Sequence, residues 1–293
     1  MNLLVLGENG QLAWELRQRC PMATFWGRRS IDMADTAALE RKVLAARPHA
    51  LINAAAYTAV DGAESAPDLA WRLNAEAPAA LARAARQLEI PFVPVSSDFV
   101  FDGKGDEPFR DTDPVGPINV YGRTKLAGEL AVASQAQRYL ILRTSWVFSA
   151  HGHNFVKTML RLAAERDTLR VVADQIGNPT WAGDLAQATL KAVDAMAESR
   201  EAPRRTWHLC GGDAVSWHQF AEAIINGAHA QGRLARKPVI EPIATEDYPT
   251  PAARPLNSRL APSADLLALL DTAPDWRWGL ERILREGDVA VPA

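Results

Sequence analysis

A tyrosine and a lysine four residues apart are the side chains in this sequence best suited to proton chemistry. Tyr121 and Lys125 open a helix-like segment, in which this spacing places both Cβ atoms on one face, about 6 Å apart. A nearby ammonium favours phenolate, so Lys125 is expected to lower the Tyr121 pKa from about 10 towards neutral pH. The hydroxyl of Ser97, after a β-run, would share the hydrogen bond of a substrate oxygen. These three residues are predicted to be catalytic, with Tyr121 as the proton donor.

The first elements of the chain predict a dinucleotide site that would position this group. An apolar run over residues 3–6 indicates a strand buried on both faces, and the pattern G-x-x-G-x-x-A follows over residues 7–13. Glycines in such a turn let a pyrophosphate approach the backbone and the helix N-terminus. An ordinary βα turn can carry two glycines, but its position between first strand and first helix favours the cofactor. Gly7 and Gly10 are therefore predicted to contact a dinucleotide.

Two arginines follow the second predicted strand, where enzymes that use NAD usually present an acid to the ribose. The guanidinium groups of Arg28 and Arg29 suit a 2′-phosphate, which favours NADPH as the cofactor. A solvated basic turn explains the same residues equally well, because arginine is an ordinary surface residue. NADH therefore stays open as the alternative cofactor.

Strands and helices alternate through the first half of the chain with short links, which predicts right-handed βαβ units and a parallel sheet. One helix is predicted over residues 36–46, capped by Asp32 or Asp35, and another over residues 71–88. The predicted fold class is α/β, a Rossmann-type doubly wound parallel sheet with a smaller C-terminal α/β substrate domain. Residues 1–150 would form the dinucleotide-binding domain, with 170–212 returning to it. Residues 151–169 and 213–293 would mainly form the substrate domain.

The bulk properties exclude several other classes of protein. The chain has 293 residues, of which 48% are hydrophobic and 23% charged, an ordinary globular composition. A formal net charge of −3 provides no basic footprint for nucleic acid. Cys20 and Cys210 cannot build a disulfide framework, and the first apolar run is too short for a signal peptide or a membrane span. The expected setting is cytoplasmic, without a membrane partner.

Eight segments along the chain carry motifs of a known family: residues 7–12, 53–61, 96–103, 121–129, 143–147, 154–159, 174–180 and 248–258. The first of these resemble the extended short-chain dehydrogenase/reductases. The last segment, which contains Arg254-Pro255 and Asn257-Ser258, resembles more narrowly the dTDP-4-dehydrorhamnose reductases within that superfamily. The resemblance covers nearly the whole chain.

The resemblance implies an activity and a set of contacts. The activity is NAD(P)H-dependent reduction of the 4-keto group of dTDP-4-dehydro-6-deoxy-L-mannose to dTDP-L-rhamnose, for rhamnose and O-antigen polysaccharide biosynthesis by a homodimer. Lys125 would also hold the nicotinamide ribose, beside Tyr121. The further cofactor contacts it implies are Gly10, Gln11, Leu12, Asp32, Met33, Ala56, Tyr57 and Thr58. The substrate contacts assigned are Ser97, Asp98, Trp146 and Arg254.

The sequence departs from the family at several positions. The family usually has threonine at the position of Ser97 and often tyrosine at that of Phe99. Some relatives bind Mg²⁺ through glutamates at a dimer interface, where this chain keeps Glu15 and Glu286 but has Gly183 in place of an acid. Two carboxylates make a poor site for a hard cation, so no metal is predicted.

Other functions stay open at this point. One is a different nucleotide-diphospho-4-keto-6-deoxysugar reductase, or an epimerase of the same superfamily. Another, from a different class, is a catalytically silent NADP-binding regulatory relative. The motif at residues 254–258 favours the reductase, and the intact Ser97, Tyr121 and Lys125 argue against a silent relative.

Overall fold

The computed structural model describes residues 2–198 and 204–286. In chain order its strands are β1 (Leu3–Leu6), β2 (Thr24–Trp26), β3 (Ala50–Asn53), β4 (Phe92–Ser97), β5 (Tyr139–Thr144), β6 (Val147–Phe148), β7 (Thr168–Val172), β8 (Ile176–Gly177), β9 (Thr180–Trp181), β10 (Arg204–His208), β11 (Val215–Ser216), β12 (Val239–Ile243) and β13 (Asn257–Ser258). Its α-helices are α1 (Gln11–Arg19), α2 (Thr36–Ala46), α3 (Val60–Ser65), α4 (Pro67–Trp71), α5 (Ala77–Gln87), α6 (Val120–Gln135), α7 (Phe155–Glu165), α8 (Ala182–Glu198), α9 (Trp217–Ala230), α10 (Ala264–Leu267) and α11 (Trp276–Glu286).

A six-stranded sheet with the order β10-β5-β4-β3-β1-β2 forms the centre of the fold, and all its neighbouring strands run parallel. The winding reverses between β1 and β3, because β2 lies on one side of β1 and β3 on the other. In open α/β sheets this switch point, at the carboxyl ends of the strands, is where ligands bind. The predicted α/β fold class with a doubly wound parallel sheet is confirmed.

Each face of the sheet is covered by helices, which is why its strands are apolar on both sides. Alternate residues of β1 face opposite cores: Leu3 and Val5 pack with α1 and α8, whereas Leu4 and Leu6 pack with α2 and α5. All four residues of β1 and all six of β5 are buried. Asp35 caps α2 by accepting a hydrogen bond from the Ala38 N–H at 2.9 Å, so one of the two predicted caps is confirmed.

A second hydrophobic core lies in the C-terminal part of the chain. It brings together α7, α9 and α11 with the parallel pair β7 and β12. The segment 170–212, predicted to return to the large sheet, divides between the two cores: α8 and β10 join the large sheet, whereas β7 pairs with β12. The division into two domains stays a prediction.

The helix predicted over residues 71–88 is not continuous. The chain leaves α4 at Trp71, passes through a π-helical turn over Arg72–Glu76 and continues as α5. Such turns commonly occur at functional sites, and this one carries the buried Asn74 towards α6. Within the described residues, no helix is both long and apolar enough to span a lipid bilayer.

Candidate active site

The three residues predicted to be catalytic lie at the carboxyl edge of the sheet. Ser97 is the last residue of β4, while Tyr121 and Lys125 lie on the first turns of α6. All three are buried, with exposed fractions between 7% and 9%. Asn119 begins the helix, since its side chain accepts a hydrogen bond from the Gly122 N–H at 2.8 Å. The structure therefore brings this group together as the spacing predicts.

The Tyr121 hydroxyl is harder to ionise than an ordinary phenol. The pKa of Tyr121 is raised to about 12, chiefly by burial; hydrogen bonding to Ser97 opposes the rise, and the negative charge of Asp98 contributes to it. The prediction that Lys125 lowers this pKa is wrong for the structure as it stands. The reason is that desolvation of the phenolate outweighs the favourable contacts it finds here.

The Lys125 ammonium points into the sheet. Its Nζ donates a hydrogen bond to the Val95 carbonyl oxygen at 2.6 Å. Burial lowers the pKa of Lys125 to about 8, and the Glu129 carboxylate one turn along α6 opposes this fall. Lys125 is therefore still mostly protonated at neutral pH, with its charge held by a strand carbonyl.

The hydroxyl proton of Ser97 has a defined acceptor. Ser97 Oγ donates a hydrogen bond to Asp98 Oδ1 at 2.8 Å. Ser97 Oγ also accepts a hydrogen bond from the Phe99 backbone N–H at 3.2 Å. A serine hydroxyl has one proton, so while it is given to Asp98 the Ser97 oxygen can act towards other groups only as an acceptor. In this structure the Ser97 proton is therefore committed to the Asp98 carboxylate.

Asp98 is a charged group placed in a dry position. It is 4% exposed, and within the described residues its Oδ2 is buried without a hydrogen-bond partner. Burial raises the pKa of Asp98 to about 6, and the hydroxyls of Ser258 and Ser97 oppose the rise. The Ser258 hydroxyl affects this carboxyl group without meeting the geometry of a hydrogen bond to Oδ2, so Oδ2 is a buried acceptor whose hydrogen bond is unfilled.

Two glycines let α6 approach its neighbours closely enough to bury Tyr121. A Cβ at Gly122 would lie 2.1 Å from the Phe99 carbonyl oxygen, and one at Gly128 would lie 2.1 Å from that of Asn74. The Phe99 ring meets the Tyr121 ring edge to face, with centroids 5.4 Å apart. Close packing thus sets where the phenol points.

The glycine turn after β1 fits a dinucleotide. Gly7 has φ +110° and lies against Ala54, where a Cβ would come within 3.2 Å of the Ala54 carbonyl carbon. Gly10 is the N-cap of α1 and makes no side-chain cap, so no capping side chain stands between the first helical N–H groups and an anion. No atom lies within 4 Å of a Cβ built at Gly10, which leaves room for a pyrophosphate. Leu12, also predicted to contact the cofactor, is buried in the first turn of α1.

The loop after β3 is held by a residue that the sequence analysis gave no role. Asn74 Oδ1 accepts from the Tyr57 N–H at 2.9 Å, and its Nδ2 donates to the Tyr57 carbonyl at 3.1 Å and to Thr124 Oγ1 at 3.0 Å. Asn74 thereby ties the predicted cofactor loop, with Ala56 and Thr58, to the helix of Tyr121. A lone amide within an alanine-rich helix was the signal that could have found it.

The other predicted cofactor residues differ in whether their side chains are already bonded to or packed against the rest of the protein. The Gln11 amide is used internally, since Nε2 donates to the Val147 carbonyl at 3.2 Å and Oε1 accepts from Asn154 at 2.9 Å. Asp32 Oδ1 accepts from the Ala34 N–H at 2.9 Å, and Met33 packs against the core below the sheet. Arg28 and Arg29 are exposed in the turn after β2.

The predicted substrate residues beyond Asp98 are both tied to neighbours. Trp146 has φ +46°, and its ring stacks on Trp217 with centroids 3.5 Å apart. Arg254 pairs with Asp61, whose Oδ2 accepts from Nη2 at 2.7 Å. The sequence analysis gave no role to Trp217 or Asp61, because each meets its partner only across the fold.

Among the described residues, the positions considered for a metal are taken up by contacts within the protein. Glu15 pairs with Arg19, and a Cβ at Gly183 would lie 2.3 Å from the Trp181 ring, so an acid has no room there. The Glu286 side chain lies outside the described part of the structure. Within that part, no group of three or more His, Cys, Asp or Glu side chains is placed to hold a metal ion.

A doubly wound sheet whose uncapped glycine turn shares an edge with a buried Ser, Tyr and Lys has the architecture of the extended short-chain dehydrogenase/reductases. The profile of the RmlD substrate binding domain matches residues 1–289. The dTDP-4-dehydrorhamnose reductase of Burkholderia thailandensis is 42% identical to this chain, and the match covers 98% of this chain and 99% of that protein. The dTDP-4-dehydrorhamnose reductase of Salmonella typhimurium is 40% identical, and the match covers 98% of each chain. The chain belongs to the dTDP-4-dehydrorhamnose reductase family.

A solved structure supports the same assignment. The dTDP-4-dehydrorhamnose reductase of Bacillus anthracis, crystallised in complex with NADP, is 34% identical and superposes with a TM-score of 0.89. The match covers 98% of this chain and 100% of that one.

Proposed function

We propose that the protein reduces the 4-keto group of dTDP-4-dehydro-β-L-rhamnose to give dTDP-L-rhamnose, with NADPH or NADH as the reductant. The observation that carries the proposal is the burial of Ser97, Tyr121 and Lys125 together at the strand edge beside the glycine turn. The relatives that align with the chain over 99% and 98% of their lengths are named for the same reaction.

In this proposal Tyr121 delivers the proton of the reduction. The reduced dinucleotide, when bound, supplies the hydride. A phenol whose pKa is about 12 is fully protonated at neutral pH, which suits a group that must donate to the carbonyl oxygen. Ser97 lies beside the phenol and orients the carbonyl. Lys125, whose ammonium donates to the Val95 carbonyl, is assigned to hold the nicotinamide ribose.

Substrate binding is assigned to groups around the same edge. Asp98 offers its unpaired Oδ2 to a sugar hydroxyl, and the Trp146 ring, supported by Trp217, offers a flat apolar face. Arg254, held by Asp61, offers the positive charge that a diphosphate requires.

The direct test is oxidation of NADPH, followed by absorbance, with dTDP-4-dehydro-β-L-rhamnose as substrate. We expect turnover by the wild type, a loss of about 100-fold or more in kcat for Tyr121→Phe, and a comparable loss for Ser97→Ala. Ser97→Thr keeps the hydroxyl that most relatives are expected to use, so it is the matched control and should stay within about fivefold of wild type.

The alternatives give different results in the same assay. Turnover with UDP- or GDP-linked 4-keto sugars in preference to the thymidine form identifies another nucleotide-sugar reductase, and C4 inversion without net oxidation of NADPH identifies an epimerase. Tight NADPH binding without turnover of any of these sugars identifies a silent relative. Turnover that survives Tyr121→Phe contradicts the assigned proton donor.

We infer further that the protein works in the cytoplasm as a homodimer. The two cysteines are unpaired, as they would be in a reducing compartment. A groove of about 430 Å³ between α1 and α11, where Arg19 and Arg282 flank the Trp181 ring, is the surface assigned to the second copy. Light scattering on the purified protein should give twice the mass of one chain, and the mass of one chain would rule the dimer out.

A further inference from the structure

The glutamate inside the glycine turn lies across the end of β2. A Cβ at Gly27 would be 2.3 Å from Glu8 Oε2 and 2.7 Å from Glu8 Cβ, so the Glu8 side chain fills the space that any side chain at Gly27 would take. The two segments are also joined by the backbone, because the Gly7 N–H donates to the Trp26 carbonyl at 2.8 Å. The Glu8 side chain therefore starts in the glycine turn and places its carboxylate beside the end of β2.

This strand end has a known task in dinucleotide-binding sheets. An acidic side chain there accepts a hydrogen bond from the ribose 2′-hydroxyl, whereas a nearby arginine accommodates a 2′-phosphate. In this chain the strand end is Gly27, which has no side chain to offer. Glu8 places a carboxylate beside it from the neighbouring turn, and Arg28 and Arg29 follow directly.

The Glu8 carboxylate has no partner within the part of the chain that the structure describes. Among the described residues it forms no hydrogen bond or ion pair, and its side chain is half-buried. The other acid near this strand end is Asp32, and one of its oxygens already accepts the Ala34 N–H at 2.9 Å. Glu8 therefore has both oxygens available at the place where the ribose would lie.

We propose that Glu8 determines how the protein reads the 2′ position of the adenosine ribose. The Glu8 carboxylate accepts a hydrogen bond from the ribose 2′-hydroxyl of NADH and repels the 2′-phosphate of NADPH. Arg28 and Arg29 attract that phosphate. The opposed charges make the site tolerate both cofactors. This inference rests on the proposed function only in placing a dinucleotide at the glycine turn.

Adenosine nucleotides test the inference without the reaction. Binding of 5′-ADP, which has a 2′-hydroxyl, and of 2′,5′-ADP, which has a 2′-phosphate, is measured by calorimetry on the wild type and on Glu8→Gln. The glutamine keeps the shape of the side chain and removes its charge. We expect Glu8→Gln to bind 2′,5′-ADP tighter and 5′-ADP more weakly, so that the ratio of the two Kd values changes by about tenfold.

Two comparison variants make the result specific. Glu89→Gln makes the same substitution at an exposed acid before β4, at the amino edge of the sheet, and should change the ratio by less than about twofold. Replacing Arg28 and Arg29 by alanine should weaken 2′,5′-ADP and leave 5′-ADP within about twofold. The ratio of KM values for NADPH and NADH should follow the binding ratio in each variant, and circular dichroism checks that each is folded.

The outcomes separate this inference from the proposed function. If both nucleotides bind the wild type but Glu8→Gln leaves their ratio unchanged, or if Glu89→Gln changes it as much, the role of Glu8 is overturned and the cofactor site stands. If neither nucleotide binds the wild type, the cofactor site itself is wrong.

Discussion

At the scale of single residues, the site is governed by the removal of charge from water. Tyr121, Lys125 and Asp98 each have a pKa displaced towards the neutral form, and in each case burial is the largest cause. Hydrogen bonds and neighbouring charges adjust these values and do not reverse them. A buried phenol that stays protonated can donate its proton when a base forms beside it. In a carbonyl reduction that base is the alkoxide that develops on the carbonyl oxygen.

Removing the Asp98 charge should move the pH dependence of the reaction. Because the ionised carboxylate raises the Tyr121 pKa, Asp98→Asn should lower it, and the phenol would then lose its proton at lower pH. We expect the alkaline limb of the kcat profile to shift down by roughly one pH unit. Asp106→Asn removes an exposed acid from the following loop and is the control, since its charge is screened by solvent. An alkaline limb at or above the wild-type position would contradict this account.

At the scale of elements, α6 is the part of the fold that carries the site. Gly128 allows this helix to touch the π-helical turn, and Asn119 fixes its first turn. A buried ion pair then ties α6 to β5, with Arg143 bound to both oxygens of Glu129 at 2.9 and 2.7 Å. The backbone contact at Gly128, the Asn119 cap and the Arg143–Glu129 ion pair together fix the position of α6 on the sheet.

Gly128→Ala tests whether close packing outweighs helix propensity. Alanine in a helix interior is about 1 kcal/mol better than glycine, but overpacking costs about 1–3 kcal/mol. Because the added Cβ would lie 2.1 Å from a backbone oxygen of Asn74, which cannot rotate away, the cost should lie in the upper part of this range, and we expect a net loss of about 1–2 kcal/mol in the free energy of unfolding.

Urea unfolding of Gly128→Ala measures this loss. Gly116→Ala is the control, because its Cβ would meet only the Asp102 side chain at 3.4 Å, and it should stay within about 0.5 kcal/mol of wild type. A Gly128→Ala variant more stable than wild type would mean that propensity prevails.

At the scale of the whole molecule, a buried polar network joins the large sheet to the loops that cover its edge. His208 on β10 faces Arg143 on β5 at 3.4 Å, and its Nδ1 lies 3.1 Å from the Phe109 carbonyl oxygen. The backbone N–H of His208 donates a hydrogen bond to Ser263 Oγ, and the Ser263 hydroxyl donates one to the Asp111 carboxylate. Desolvation and the Arg143 charge lower the pKa of His208 to about 4.

The neutral state of His208 should make stability depend on pH in a defined direction. The unfolded chain takes up this proton near pH 6.5 and the folded protein only near pH 4, so stability is lost as pH falls between these values. We expect the wild type to lose about 3 kcal/mol relative to His208→Gln over this interval. Comparing the urea midpoints of the two proteins at several pH values cancels the other titrations. A constant difference between them would show that His208 titrates normally.

Much of the fold follows from local patterns. The apolar run over residues 3–6 indicated a buried strand, and an aspartate before residues 36–46 had the right place for a cap. The glycine turn and the four-residue spacing of Tyr121 and Lys125 depend on neighbours along the chain, so the sequence was enough to predict them. The family resemblance named the remaining site residues but not their surroundings.

The buried stretch around Ser97, Tyr121 and Lys125 shows where sequence alone stops. Residue types and spacing determined which groups meet at the sheet edge. Only the tertiary structure decided that Tyr121 is harder to ionise, that Lys125 points to a strand carbonyl, and that Glu8 covers Gly27. The physical reason is that desolvation and contacts between distant segments depend on how the chain packs, and no local spacing encodes them.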